Sequence, residues 1–128
     1  MARRHVLGRR GERAVERRLA ECGWQILDRN WRAGHAEVDL VIRRGGVVAF
    51  VEVKTRSHSG AGDPLEAITQ RKRREVQRAA AHWIRERGCE IGKVDAFRFD
   101  AAAVSLVAGR DPDIRYLSDA WRIGEFFS

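Results

Sequence analysis

Asp39, Glu52 and Lys54 follow one another as Asp-x(12)-Glu-x-Lys, inside two apolar runs, EVDLVI (37–42) and VVAFVEVK (47–54). Acids crowded in such surroundings repel one another and lose hydration unless a cation holds them. A hard divalent cation such as Mg²⁺ or Mn²⁺ accepts one or two carboxylates and keeps waters for chemistry. It can activate a water and neutralise charge on a phosphate in flight. A lysine beside it can stabilise the developing negative charge or position the water. The set is coherent for phosphodiester hydrolysis. The plainer alternative is a solvated sheet face with alternating charges and one Glu–Lys pair.

The elements that must position these groups can be read from the chain. Both runs are β-branched and bounded by Gly, which predicts strands over Glu37–Ile42 and Val47–Lys54. Side chains alternate along a strand, so Glu37, Asp39 and Val41 share one face, as do Val48, Phe50, Glu52 and Lys54. A two-residue turn at Gly45-Gly46 puts Asp39 opposite Glu52 and Glu37 opposite Lys54. A first helix is expected from Gly8 to Cys22-Gly23, with Val15, Leu19 and Cys22 as its buried stripe. Glu12 falls on that stripe. It is either an inward-facing acid or a first-turn Glu favouring the helix N-terminus. Trp24–Arg32 reads as an irregular strand and 33–35 as a turn.

Beyond Arg56, SHSGAGDP (57–64) reads as a Gly/Ser loop that can close over a substrate. One long helix is expected over Leu65–Arg87. Its Lys72 lies on the inward face with Ile68 and Val76, and either reaches the carboxylates or a phosphate, or snorkels from the core edge. Strands are expected over Val94–Asp100, Ala103–Val107 and Ile114–Leu117. Helix, three strands, helix, then strands make an α/β sandwich around a mixed sheet, one domain over 1–128.

The formal net charge is +7 and the sequence pI about 10.6. All the basic residues but Lys54, Lys72 and Lys93 are Arg. Such a balance favours a polyanion over a neutral partner. The basic residues cluster, at Arg3, Arg4, Arg9, Arg10, Arg13, Arg17 and Arg18, and again at Gln70-Arg71-Lys72-Arg73-Arg74 with Arg78. Two such runs beside an acidic floor suit contacts to a nucleic-acid backbone. Trp24, Trp31, Trp83 and Trp121 are expected in the core, with Trp31 the one candidate for a base contact. Cys22 and Cys89 stand apart, as do His5, His35, His58 and His82, so neither a zinc site nor a disulfide is expected. No apolar run approaches a membrane span and no signal segment is evident, so the cytoplasm is the expected compartment.

GRRGERAVERRL (8–19), RNWR (29–32), GHAEVDLV (34–41), FVEVKTR (50–56), GDPLEAI (62–68) and FRFD (97–100) occur in that order. Together they resemble the YraN-type bacterial proteins, uncharacterised protein family 0102, over nearly the whole chain. That family is similar in fold to archaeal Holliday junction resolvases and is grouped with the PD-(D/E)XK nucleases. The resemblance implies a restriction-endonuclease-like αβββαβ core. It implies a metal-binding acid at Asp39, the E-x-K pair at Glu52 and Lys54, and Glu12 as the acid of the first helix that completes the site. Glu37 corresponds to the first acid of a G-E-x-D-L pattern and would stand behind the ligands. Val38 occupies the place of the Pro in PD. Arg9, Arg10, Arg32, Arg56, Gln70, Lys72 and Arg73 are the expected nucleic-acid contacts.

The leading expectation is a Mg²⁺- or Mn²⁺-dependent endonuclease acting on duplex or branched DNA, including recombination intermediates. Resolution of a junction needs two active sites, which suits a homodimer, with the apolar end WRIGEFFS (121–128) contributing to the interface. The alternative is a non-catalytic nucleic-acid-binding module of a DNA repair or uptake complex. A third reading, an RNA-associated factor, lacks a GXXG clamp or aromatic RNP strands.

Overall fold

The computed structural model describes residues 2–123. Helix α1 (Ala2–Glu21) leads into strands β1 (Gln25–Ala33), β2 (Ala36–Arg44) and β3 (Val47–Arg56). A single turn, α2 (Pro64–Ala67), then the long α3 (Gln70–Arg87) and a 3-10 turn (Gly88–Glu90) return the chain to β4 (Ala96–Ser105) and β5 (Asp113–Trp121). The sheet order is β1-β2-β3-β4-β5. Only β3 and β4 run parallel, and the α2–α3 segment supplies the long crossover that a parallel pair requires. This is the expected mixed sheet with helices on both faces, in αβββαβ order.

Each face of the sheet has its own core. Val15 and Leu19 of α1 pack with Trp24, Leu40, Ile42, Ala49, Val51, Ala102 and Val104. Val76, Ala79, Ala80 and Trp83 of α3 pack with Val38, Val41, Val48, Phe50, Phe99 and Trp121. Central strands covered on both faces need apolar residues at every position, which explains the unbroken runs VVAFV and AAAV.

Val47 pairs with Arg44, so Gly45-Gly46 forms the expected two-residue turn. The Gly46 carbonyl also accepts the N–H groups of Asp95 (2.8 Å) and Ala96 (3.2 Å). A side chain at position 46 would meet the exposed Asp95 carboxylate, which would have to turn aside.

Several boundaries differ from expectation. α1 begins at Ala2, because Arg is a good helix former and Gly8 does not interrupt it. The helix expected from Leu65 breaks at Ile68, which takes extended backbone. Thr69 then caps α3 by accepting the Lys72 N–H (3.1 Å), and Asp63 caps α2 ahead of Pro64. The strands expected over Val94–Asp100 and Ala103–Val107 are one strand, since burial of Ala101–Ala103 overrides the weak strand preference of Ala. β5 continues to Trp121 past a register shift opposite Phe99–Ala101. The loop expected to act as a lid is anchored instead. Ala61 N–H donates to Asp113 Oδ2 (3.2 Å), and Ser105 Oγ donates to the His58 carbonyl. Of the end expected at an interface, Trp121 is buried in the core and Ile123 is exposed. Residues 124–128 lie outside the described residues. No helix of the described residues is long and apolar enough to cross a membrane.

Candidate active site

The β2–β3 ladder runs from Arg44↔Val47 to Leu40↔Val51 and stops. The next rung would join Asp39 to Glu52, the expected register. At that point a side chain takes over from the backbone, and Asp39 Oδ2 accepts the Val53 N–H at 2.8 Å. The alternation of faces slips here too. Val38 and Val41, three residues apart, both belong to the α3-side core, while Leu40 belongs to the other. The expected common face of Glu37, Asp39 and Val41 is therefore broken, and the sheet opens where the two acids stand.

Asp39 and Glu52 are only 7% and 6% exposed. Burial pushes the Asp39 pKa well above the ordinary range, the charges of Glu52 and Glu12 add to this, and the Val53 N–H offsets only part. Burial likewise raises Glu52 to about 7, with Glu37 adding and Asp39 and Lys72 moderating. Lys72 Nζ lies 3.5 Å from Glu52 Oε2 and 3.7 Å from Glu75 Oε2. Burial opposes the charge on Lys72, but Glu52, Asp39 and Glu75 outweigh it and hold its pKa above normal. Glu52 Oε1 is buried with no hydrogen-bond partner. Two ionised carboxylates offer each other only lone pairs, so this pair calls for a shared proton or a cation.

α1 brings a third acid. A Cβ at Gly11 would sit 1.8 Å from Thr55 Oγ1, so the missing side chain is what lets α1 lie against β3. Glu12 follows directly. Its Oε1 accepts Asn30 Nδ2 at 2.6 Å and Arg9 Nη1 at 3.4 Å. Asn30 has φ 50°, a left-handed conformation that Asn tolerates better than most residues. Burial raises the Glu12 pKa against the opposing effects of Asn30 and Arg9, and the Glu37 charge adds to the rise. Glu37 is itself held by Arg32 Nε at 2.7 Å.

The fold thus brings Glu12, Glu37, Asp39 and Glu52 within electrostatic range of one another, with Lys72 at their edge. Lys54 is exposed and makes no ion pair among the described residues. It lines a groove of about 900 Å³ with Arg10, Arg56, His58 and the start of α1. Gln70 is exposed at the start of α3. Arg73 is engaged elsewhere, donating to the carbonyls of Ile68 (3.0 Å) and Leu65 (2.7 Å) at the end of α2. Nothing is described of the Arg3 and Arg4 side chains. Trp31 packs against the α3-side core. Sequence reasoning missed Gly11 and Asn30. Their signals were a glycine in mid-helix and an amide inside a strand.

Among the described residues, no three His, Cys, Asp or Glu side chains form a ready-made cage for a metal ion. A closed cage is not what Mg²⁺ needs, since it binds through one or two carboxylates and completes its shell with water and phosphate oxygens. The desolvated Asp39–Glu52 pair and the orphaned Glu52 Oε1 fit such an ion.

The profile of the uncharacterised protein family UPF0102 matches residues 11–104. A UPF0102 protein of Rhodococcus jostii (strain RHA1) is 41% identical over 121 residues, 94% of this chain and 100% of the relative. One of Leifsonia xyli subsp. xyli (strain CTCB07) is 40% identical over 117 residues, 91% of this chain and 97% of the relative. One of Geobacter sulfurreducens is 37% identical over 118 residues, 92% of this chain and 90% of the relative.

Proposed function

The chain belongs to the uncharacterised protein family UPF0102, and we propose that it is a divalent-metal-dependent DNA endonuclease of the PD-(D/E)XK type. The observation that carries this reading is the Asp39–Glu52 pair, two buried carboxylates at the opened end of a β-ladder with one oxygen left unsatisfied. In this reading Asp39 and Glu52 hold Mg²⁺ or Mn²⁺. The ion would supply positive charge for the attacked phosphate and activate the attacking water.

The other residues divide the remaining work. The Val53 N–H fixes the Asp39 carboxylate, so no reorganisation is needed when a ligand arrives. Glu12, held by Asn30, adds a ligand or orients a water, and Glu37, held by Arg32, adds negative charge behind the ligands. Lys72 neutralises Glu52 at rest, and Lys54 stabilises charge on the phosphate from the groove side. Arg10 and Arg56 contact the backbone of duplex or branched DNA.

The test is cleavage of four-way junction, flap, single-stranded and duplex DNA by wild type and Glu52→Gln, with Mg²⁺, Mn²⁺ or EDTA. Cutting is expected with metal and wild type only. Cutting that survives EDTA or the substitution overturns the assignment. A folded, DNA-binding protein that cuts nothing would instead be the non-catalytic module.

A further inference from the structure

A groove that reaches Val53, the residue whose N–H holds Asp39, has a lining of two unlike kinds. Lys54 and Arg56, at the end of β3, and Arg10 of α1 supply its cationic lining, with His58 beside them. Val6, Leu7 and Gly8 of α1 form an apolar one, and Val6 is 58% exposed. Val53 links the groove to the chemistry, because it lines the groove while its N–H holds Asp39.

A DNA duplex turns phosphates and sugars outward and keeps its base faces stacked inside, so it answers the cationic lining only. An unpaired strand offers both a charged backbone and apolar base faces, the combination read by single-strand-binding grooves. The groove volume of about 900 Å³ is within the ~300–1,000 Å³ typical of ligand pockets, which suits a short unpaired segment rather than a duplex arm.

We propose that this groove binds unpaired nucleotides of a DNA strand next to the phosphate to be cut. The backbone follows Arg10, Lys54 and Arg56, and the bases lie against Val6 and Leu7, with the exposed His58 ring as a stacking surface. The substrate is then a flap, a gap or a melted branch point rather than a continuous duplex. As a statement about cleavage this rests on the nuclease reading. As a statement about binding it stands by itself.

The experiment is fluorescence anisotropy in EDTA with three labelled oligonucleotides of equal length: a single strand, a flapped duplex and a blunt duplex. Wild type is expected to bind the first two more tightly than the third at the same salt. Val6→Asp should weaken the first two by a larger factor than the blunt duplex, since it removes an apolar base contact as well as adding a charge that repels phosphates. Arg10→Ala should lower the slope of log K against log salt for the single strand by about 0.7. Val6 and Arg10 are exposed, so both variants are expected to fold. Arg115→Ala, on exposed β5, should change neither quantity. Equal affinity for the blunt duplex, or a Val6→Asp effect equal on all three, overturns the proposal. A protein that shows the preference yet never cuts keeps this inference and ends the nuclease reading. One that cuts in a Glu52-dependent way but prefers blunt duplex does the reverse.

Discussion

Gly11→Ala sets local and tertiary effects against each other. In an isolated helix the change adds about 1 kcal/mol of stability, because Gly is that much poorer than Ala in a helix interior. In this fold the new Cβ would meet Thr55 Oγ1 at 1.8 Å and Thr55 Cβ and Cγ2 at 2.8 Å. Thr is stiff at χ1, and rotating it leaves the Cβ overlap in place. Overpacking of this kind costs about 1–3 kcal/mol, and overlap with three atoms of one rigid side chain argues for the upper end. The net expectation is a loss of about 2 kcal/mol, or about 6–10 °C in Tm for a chain of this size. Thermal unfolding followed by circular dichroism measures it directly. Thr55→Ala in the same chain removes two of the three clashing atoms and should restore part of the loss, a coupling absent for non-contacting sites. If Gly11→Ala melts at or above the wild-type temperature, α1 does not lie against Thr55. The placement of Glu12 beside Asp39 then loses its support.

Two further outcomes follow from buried carboxylates. The folded pKa of Glu52 is about 7, above the ordinary value near 4.5, so between those values the folded state keeps a proton that the unfolded state has released. Its contribution to stability is fully present below about pH 4.5 and is lost as pH rises through about 7, up to about 3 kcal/mol. Denaturant titrations in EDTA at about pH 5 and about pH 8 should show this fall, and Glu52→Gln should flatten it; an unchanged slope in the variant would discount the buried acid. On the edge strand β1, Asp28 Oδ2 accepts Trp83 Nε1 (2.6 Å) and Arg87 Nη1 (2.5 Å). Asp28→Ala leaves a buried indole N–H unpaired and should cost about 1–3 kcal/mol in urea unfolding, and a loss under about 0.5 kcal/mol would show that water or another group replaces the acceptor.

What the sequence disclosed followed from short-range rules. The Gly45-Gly46 turn set the register that points Asp39 at Glu52, and two-sided burial marked VVAFV as a central strand. What it withheld depended on contacts between distant segments. Thr69 is an N-cap only because Ile68 leaves the helix to bury its side chain. The slip of faces at Asp39 requires Val53 to find a side-chain acceptor where the ladder ends. The spacing puts Lys54 beside the acids and leaves Lys72 either reaching them or a phosphate, or snorkelling from the core edge. Only the packing of α3 across the sheet gives Glu52 to Lys72 and leaves Lys54 at the groove. Arg73 has the same sequence context as its neighbours, yet its guanidinium is engaged by the carbonyls of α2.

The protein contains its own comparison for judging whether the Asp39–Glu52 pair is merely architectural. Asp100 is 0% exposed, more deeply buried than either acid. It accepts hydrogen bonds from Arg98 Nε (3.0 Å) and Nη2 (3.2 Å), from Tyr116 Oη (2.5 Å) and from the Asp119 N–H (2.9 Å). Both its oxygens are answered, and a charged partner is among the donors. That is how this fold treats a carboxylate it buries for structure, because an unanswered buried charge is costly. Asp39, by contrast, is given one backbone N–H, and Glu52 one ammonium at 3.5 Å and no donor on Oε1, so beyond these the two carboxyls have only each other. Glu12 and Glu37 add negative charge to the same place. The same chain has 25 Lys and Arg residues from which a cationic partner could have been supplied. The shortfall is therefore local to the opened end of the ladder, and it is one that a shared proton or a cation makes up. A small divalent cation corrects it in a way that a further arginine would not, since the ion can be shared with a phosphate.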